Sequence, residues 1–117
     1  MVINDDAALR DALRFALRLE GADVCLHEDG AGALADPRLK DAACLVLRNH
    51  LPGIEGLEVL RRVRKMGLSV PVILLASAST AALRARAATA GVWLVLEKPI
   101  MDGALVNAVS GLLREIT

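Results

Sequence analysis

Short apolar runs alternate with amphipathic segments along the whole chain. Five runs are predicted to be β-strands, over Met1–Ile3, Ala22–His27, Ala43–Leu47, Val70–Leu75 and Val92–Leu96. The last three are continuously hydrophobic instead of alternating, which is typical of strands buried on both faces of a parallel sheet. We therefore expect a parallel sheet with helices on both sides.

The segments between the runs carry apolar residues at helical spacing. The first helix is predicted over Ala7–Leu19, with Asp5 or Asp6 as its N-cap and Gly21 beyond its end. Further helices are predicted over residues 30–35, 54–66, 79–90 and 102–115. The helix over residues 30–35 is short and poorly periodic, and Asp36-Pro37 ends it.

Strand and helix alternate five times with short links, and right-handed crossovers place helices on both faces of the sheet. The prediction is one doubly wound (βα)₅ α/β domain over residues 1–117, flavodoxin-like, with strand order 2-1-3-4-5. No repeat, low-complexity stretch or linker interrupts it.

Composition narrows the functional classes. The 14 basic and 14 acidic residues cancel, and Phe15 and Trp93 are the only aromatic residues, so we expect no direct nucleic-acid binding by this domain. No apolar run approaches the ~20 residues that cross a bilayer, and no signal peptide opens the chain. We predict a soluble cytoplasmic protein in which Cys25 and Cys44 are buried free thiols.

The carboxyl ends of the predicted strands collect the polar residues, and in parallel α/β sheets this edge is where chemistry is placed. Arg48 stands at the end of the third run, before the Pro52-Gly53 turn. The candidate pocket at this edge comprises Asn4, Asp5, Asp6, Arg48, Ala76, Ser77 and Lys98.

Four segments resemble the receiver domains of two-component response regulators, in the same order and spacing. They are Asn4-Asp5-Asp6 with Arg10, Leu51-Pro52-Gly53-Ile54-Glu55-Gly56-Leu57, Val70-Pro71-Val72-Ile73-Leu74-Leu75, and Ala90-Gly91 with Lys98-Pro99. The chain is most similar to receivers of helix-turn-helix transcription regulators, although no such domain lies in these residues. The very short first strand suggests that a few residues precede it in the parent chain.

The resemblance implies a phosphoryl transfer from phosphohistidine to an aspartate, assisted by Mg²⁺. In the family the accepting aspartate lies four residues before the loop proline, a position that Arg48 holds here. The acidic pair that binds Mg²⁺ corresponds to Asn4 and Asp5, so Asp5 is the remnant ligand.

Two further family positions are also substituted. The Thr or Ser that follows the phosphoryl group corresponds to Ala76, and the switch aromatic corresponds to Val95. Lys98 alone matches the family cleanly. Ser77 stands beside the missing hydroxyl, and we expect it to cap the fourth helix with Ser79 and Thr80.

Arg48 determines the prediction about activity. A guanidinium stays protonated and offers no lone pair to phosphorus, whereas Mg²⁺ prefers carboxylate and water oxygens. Asp5 and Asp6 already balance Arg48 and Lys98. We therefore expect no aspartyl phosphorylation, lost Mg²⁺ binding and no enzymatic activity. Arg48 either pairs with Asp5 or turns out to solvent.

Three functions remain open. The preferred one is a pseudo-receiver that presents its fourth helix, fifth strand and fifth helix to a protein partner or a second copy, with Arg84 and Arg86 on that surface. The second is a small-anion sensor that uses Arg48, Lys98 and backbone N–H groups before Ser79. The third is a phosphorelay receiver with another acceptor.

Three ring side chains receive structural predictions. His27 and His50 are isolated, without Cys or carboxylate partners at ligand spacing, so we expect no metal site there. His50 is predicted to face solvent at the rim. Trp93 is predicted to be buried against a flanking helix.

Overall fold

The five predicted strands form in the structure and lie parallel in one sheet. This computed structural model describes residues 1–98 and 103–115. The strands are β1 (Val2–Ile3), β2 (Leu26–His27), β3 (Leu45–Arg48), β4 (Val72–Ala76) and β5 (Leu94–Glu97). Their order, β2-β1-β3-β4-β5, confirms the predicted flavodoxin-like topology.

The predicted helices also form, and the third and fourth start two residues later than predicted. They are α1 (Ala7–Leu19), α2 (Gly30–Ala35), α3 (Gly56–Lys65), α4 (Ala81–Thr89) and α5 (Ala104–Glu115). The predicted start of the last helix at Asp102 lies outside the described residues. None of the helices in the described part of the chain has both the length and the apolar character to cross a membrane.

Two further differences concern the second strand and a turn that follows α2. Only Leu26–His27 of the predicted Ala22–His27 strand pairs in the sheet, because its sole neighbour, β1, offers just two paired residues. A 3₁₀ turn over Pro37–Asp41 was not predicted. Its cap is Asp36, whose Oδ1 accepts a hydrogen bond from the Arg38 backbone N–H at 2.8 Å.

The sheet separates two apolar layers. Ile3, Leu45, Leu47 and Leu74 point towards α2, α3 and α4, whereas Val2, Val46, Ile73 and Leu75 point towards α1 and α5. Strands β3 and β4 are therefore buried on both faces, as their unbroken hydrophobic sequence predicts. This buried centre holds the strand ends in fixed positions.

A close approach of α3 to β3 sets the loop that follows Arg48. A Cβ added at Gly56 would lie 2.4 Å from the Arg48 carbonyl oxygen, and the Gly56 N–H donates to the Asn49 carbonyl at 2.7 Å. Only glycine fits this contact. Gly53, with φ +80°, reverses the chain just before it.

Both cysteines are free, as predicted, but only one is fully buried. Cys44 is buried, and this burial raises the pKa of its thiol to about 11. Cys25 is half-buried. The expectation of two buried thiols is therefore correct for Cys44 and wrong for Cys25, which lies next to the short edge strand β2.

The prediction that Trp93 is buried was wrong. Trp93 precedes β5, donates its backbone N–H to the Val72 carbonyl at 2.8 Å, and is 45% exposed. Strand β5 is an edge strand of the sheet, and its residues Leu94–Leu96 are only half-buried. An edge position leaves too little cover for an indole ring.

Candidate functional site

The carboxyl end of β3 places Arg48 against the loop that follows β1. Arg48 Nη1 donates a hydrogen bond to Asp5 Oδ1, and the two side chains form an ion pair. The guanidinium side chain is 24% exposed and the carboxylate side chain 37% exposed. Of the two predicted alternatives, the structure therefore has the pair and not the solvent-facing arginine.

Asn4 and Asp6 are engaged in the local structure of the same loop. The buried Asn4 accepts a hydrogen bond from the Asp6 backbone N–H at Oδ1, at 2.9 Å. Asp6 caps α1 by accepting from the backbone N–H groups of Ala8 and Leu9, at 3.0 and 3.2 Å. Asp6 is thus the N-cap, one of the two residues predicted for that role.

The family's Mg²⁺ does not fit these residues. The ion prefers several carboxylate and water oxygens around an octahedral site. Here Asp5 binds a guanidinium, Asp6 caps a helix, and Asn4 offers an amide oxygen that is already bonded. Within residues 1–98 and 103–115, no three His, Cys, Asp or Glu side chains come together as a metal-binding group.

The Asn4 side chain also contains an unsatisfied hydrogen-bond donor. Its Nδ2 is buried without a hydrogen-bond partner among the described residues. A carboxylate at this position would carry an acceptor in place of that donor. The unpaired donor therefore adds to the argument that the site is not arranged around a cation.

The ends of β4 and β5 adjoin the same edge of the sheet. The Lys98 backbone N–H donates to the Ala76 carbonyl at 2.9 Å, and Ala76 is buried. Lys98 is half-buried, and Pro99 lies outside the described residues. Val95 is half-buried and packs into the apolar layer under α4.

Of Ser77, Ser79 and Thr80, the three residues predicted to cap the fourth helix, Thr80 does so in the structure. Thr80 Oγ1 accepts from the Leu83 backbone N–H at 3.1 Å and caps α4. Ser79 Oγ accepts from Arg84 Nε at 2.5 Å, and Ser77 is exposed. The helix begins two residues later than predicted, which moves the cap to the residue before Ala81.

His50 is exposed, as predicted, but His27 is not isolated. His27 Nε2 lies 2.8 Å from Asp36 Oδ2, and Arg38 binds the same carboxylate at 2.7 Å. The Arg38 guanidinium hydrogen bonds hold the pKa of Asp36 well below its usual range. The Asp36-Pro37 break indicates a turn, but no local pattern indicates that its carboxylate lies beside His27.

Two arginines have roles that sequence reasoning missed. Arg10 Nη1 donates to the Asn4 carbonyl at 2.6 Å and so ties α1 to the end of β1. Arg64 donates to four backbone carbonyls, those of Leu68, Val70, Ala90 and Gly91, at 2.8 to 3.3 Å. The fixed spacing of Arg10 from β1 could have indicated the first role, but no local pattern indicates the second.

Comparisons with known proteins all indicate the same family. Residues 1–110 match the model of the response regulator receiver domain. The transcriptional regulatory protein FixJ of Azorhizobium caulinodans is 35% identical over 92% of this chain and 51% of its own length. The transcriptional regulatory protein TrcR of Mycobacterium tuberculosis is 34% identical over 97% of this chain and 44% of its own. This chain therefore spans about half the length of these relatives.

Solved structures show the same fold. The Francisella response regulator 1452 receiver domain superposes with a TM-score of 0.89 at 22% identity, covering 99% of this chain and 96% of that one. The response regulator StyR superposes with a TM-score of 0.86 at 28% identity, covering 97% of this chain and 58% of that one. With its family model matched over nearly the whole chain, this protein belongs to the response regulator receiver domain family.

Proposed function

We propose that this chain is a pseudo-receiver, a receiver domain that acts as a protein interaction module without phosphorylation and without catalysis of its own. One observation carries the proposal: the guanidinium of Arg48, bonded to the Asp5 carboxylate, stands at the end of β3. The similarity to FixJ and TrcR supports a place in transcriptional control in the cytoplasm.

The chemistry of Arg48 argues against the family's phosphoryl transfer. Attack on phosphorus needs an electron pair, and a guanidinium stays protonated at any physiological pH. The four charged side chains of the pocket, Asp5, Asp6, Arg48 and Lys98, also sum to zero formal charge. A divalent cation would have to displace Arg48 from Asp5 before it found a carboxylate.

The Arg48–Asp5 pair also works against the alternative of a small-anion sensor. The guanidinium already has an anionic partner in Asp5. An incoming anion would have to compete with a carboxylate held on the same domain. No observation at the site favours that function over the pseudo-receiver.

The interface that we propose consists of α4, β5 and α5. Helix α4 is anchored by the buried residues Leu83 and Ala87 and by the bonds from Arg64 to Ala90 and Gly91 at its C-terminal end. Arg84 is exposed on α4. An anchored helix with an exposed, alanine-rich surface suits a constant interface better than a switching one.

Phosphoryl mimics test the first half of the proposal. We expect beryllofluoride with Mg²⁺ to leave the backbone amide NMR signals of Arg48, Ala76 and Lys98 unchanged, and acetyl phosphate to leave the mass unchanged. A receiver that keeps its acceptor aspartate is the positive control. A covalent phosphoryl adduct on any residue would overturn the proposal in favour of another acceptor.

The variant Arg48→Asp tests whether the remaining relay works. It restores the oxygen nucleophile but leaves Ala76 without a hydroxyl and Val95 without a ring. We expect no phosphate-dependent change of oligomeric state in this variant, measured by sedimentation equilibrium. Full phosphate-dependent dimerisation of Arg48→Asp would show that the substitutions at Ala76 and Val95 do not block switching.

Trp93 provides a reporter for the interface. It is the only tryptophan of the chain, it is 45% exposed, and it lies directly before β5. When a partner or a second copy covers this surface, its emission should shift to shorter wavelength, with and without beryllofluoride. An emission shift that appears only with beryllofluoride and Mg²⁺ would contradict a phosphorylation-independent interface.

A further inference from the structure

Helix α1 has a second apolar face that the domain does not use. Its core face buries Leu13 and Leu17 against the layer formed with α5. On another face, Phe15 is 69% exposed and Leu19 is 75% exposed. Large apolar side chains with this exposure, adjacent on one helix face, are typical of a contact surface.

Two exposed alanines extend this face along the helix. Ala8, Ala12, Phe15 and Leu19 are all exposed, and they follow one another at intervals of four, three and four residues. That alternation is the spacing of the contact positions in paired helices. We call these four residues the α1 seam.

We infer that the α1 seam binds the same seam of a second copy of this chain, with the two helices antiparallel. This inference concerns a different surface from the α4–β5–α5 interface proposed above and does not depend on it. Two observations select this occupant, the sizes of the seam residues and the charges beside them.

The sizes of the seam residues match in the antiparallel arrangement. A two-fold axis between Leu13 and Arg14 places Ala8 of one copy opposite Leu19 of the other, and Ala12 opposite Phe15. Each large side chain then meets an alanine, so the helix axes can approach to about 8–10 Å. Parallel helices would instead place Phe15 against Phe15 and Ala12 against Ala12, which crowds one end and leaves the other open.

The charges beside the seam are self-complementary in the same arrangement. Asp11 and Arg18 are seven residues apart and therefore lie on the same edge of the seam. An antiparallel pair brings that edge of one helix against the same edge of the other. Asp11 then lies within two residues, about 3 Å along the axis, of the position opposite Arg18. Two such pairs form per dimer.

The expected dimer is weak. Helix α1 has 13 residues and is about 20 Å long, so the seam buries less than the ~800 Å² per partner of a stable interface. We therefore expect association between tens of micromolar and millimolar chain concentration, visible by sedimentation equilibrium on the full chain. A monomer over that whole range would overturn the inference.

Seam and control variants locate the contact. We expect Phe15→Gln with Leu19→Gln to raise the dimer dissociation constant at least about tenfold. The matched control is Met66→Gln, which removes another exposed apolar side chain, 54% exposed, at the end of α3. Equal weakening by the control, or association unchanged in the double variant, would overturn the seam.

A charge exchange tests the arrangement of the helices. Asp11→Arg should weaken the dimer by placing two arginines at each flanking contact, and adding Arg18→Asp should restore it. Asp11 forms an exposed ion pair with Arg14, with 3.7 Å between the charged atoms. Exposed pairs contribute little to stability, so replacing Asp11 should not affect folding. Failure of the exchange to restore association would contradict the antiparallel pairing.

Phe15 is also a direct reporter, because it is the only phenylalanine of the chain. In a mixture of isotope-labelled and unlabelled chains, we expect an intermolecular nuclear Overhauser effect between the Phe15 ring and the Ala12 methyl group. An association that shifts the Trp93 emission but gives no such signal would support the α4–β5–α5 interface and overturn the seam. The two proposals can therefore fail separately.

Discussion

Arg48 and Arg64 are partly buried arginines at opposite edges of the sheet, and the protein holds them in different ways. Arg48, at the carboxyl edge, binds one carboxylate, that of Asp5. Arg64, at the amino edge, donates to the carbonyls that precede β4 and β5. The first arginine joins the end of β3 to the loop after β1, whereas the second joins the end of α3 to the end of α4.

The two arginines differ in the groups that lose a hydrogen-bond partner when the arginine is replaced. The Asp5 carboxylate is 37% exposed, so water can solvate it once Arg48 is gone. The Arg64 partners are four backbone carbonyls in two packed loops, and a half-buried carbonyl that loses its donor costs free energy. Stability should therefore depend more on Arg64, and the chemical identity of the pocket on Arg48.

The largest expected effect is that of Arg64→Met. The substitution keeps an unbranched apolar stem, although a shorter one, and removes all the donors. We expect a loss of about 3 kcal/mol in the free energy of unfolding, measured with urea. Arg64→Lys should recover only part of it, because one ammonium cannot reach both loops.

The matched control for Arg64 is Arg62→Met on the same helix. Arg62 is exposed and makes one hydrogen bond, 3.2 Å long, to Glu58. Its replacement should cost about 0.5 kcal/mol or less. Equal losses for the two variants would mean that the four carbonyl contacts of Arg64 contribute nothing beyond a surface pair.

A smaller effect is expected for Arg48→Met, about 1 kcal/mol, because the pair with Asp5 is partly solvated. A double-mutant cycle with Asp5→Asn should give a coupling energy of about 0.5–1 kcal/mol between the two side chains. The same cycle between Arg64→Met and Asp5→Asn should be additive. Zero coupling for the first pair would mean that Arg48 and Asp5 do not interact in solution.

The sequence predicts what depends on local pattern. The parallel sheet follows from the unbroken apolar strands β3 and β4, and the start of α1 follows from Asp6 as a cap. The position of Arg48 follows from the apolar run of β3, which stops at this residue. The sequence left two alternatives for its side chain, a pair with Asp5 or exposure to solvent. Asp5 was a candidate because the strand ends of a parallel sheet meet at one edge.

The missed features depend on segments that meet only in the fold. The Arg64 partners lie 4 to 27 residues away, and no periodicity relates them to Arg64. The exposure of Trp93 depends on the edge position of β5, and the His27 contact depends on the turn capped by Asp36. Local sequence also could not show that Phe15 and Leu19 remain uncovered on α1.

The smallest expected effect is a pH dependence of stability. It distinguishes an arginine that binds a carboxylate, as Arg61 binds Glu58 on the surface of α3, from Arg64, which binds backbone carbonyls. Hydrogen bonds from the Arg61 side chain lower the pKa of Glu58 from 4.5 to about 2. A carboxyl with a depressed folded-state pKa stabilises the protein above its unfolded pKa, and this contribution disappears as pH falls through the folded value. The loss of unfolding free energy caused by Arg61→Met should therefore shrink between about pH 5 and about pH 2.5.

The loss caused by Arg64→Met should not shrink over this range, because backbone carbonyls do not titrate. Urea unfolding at both pH values measures the two losses, and a parallel decline would show that Arg64 depends on a carboxylate.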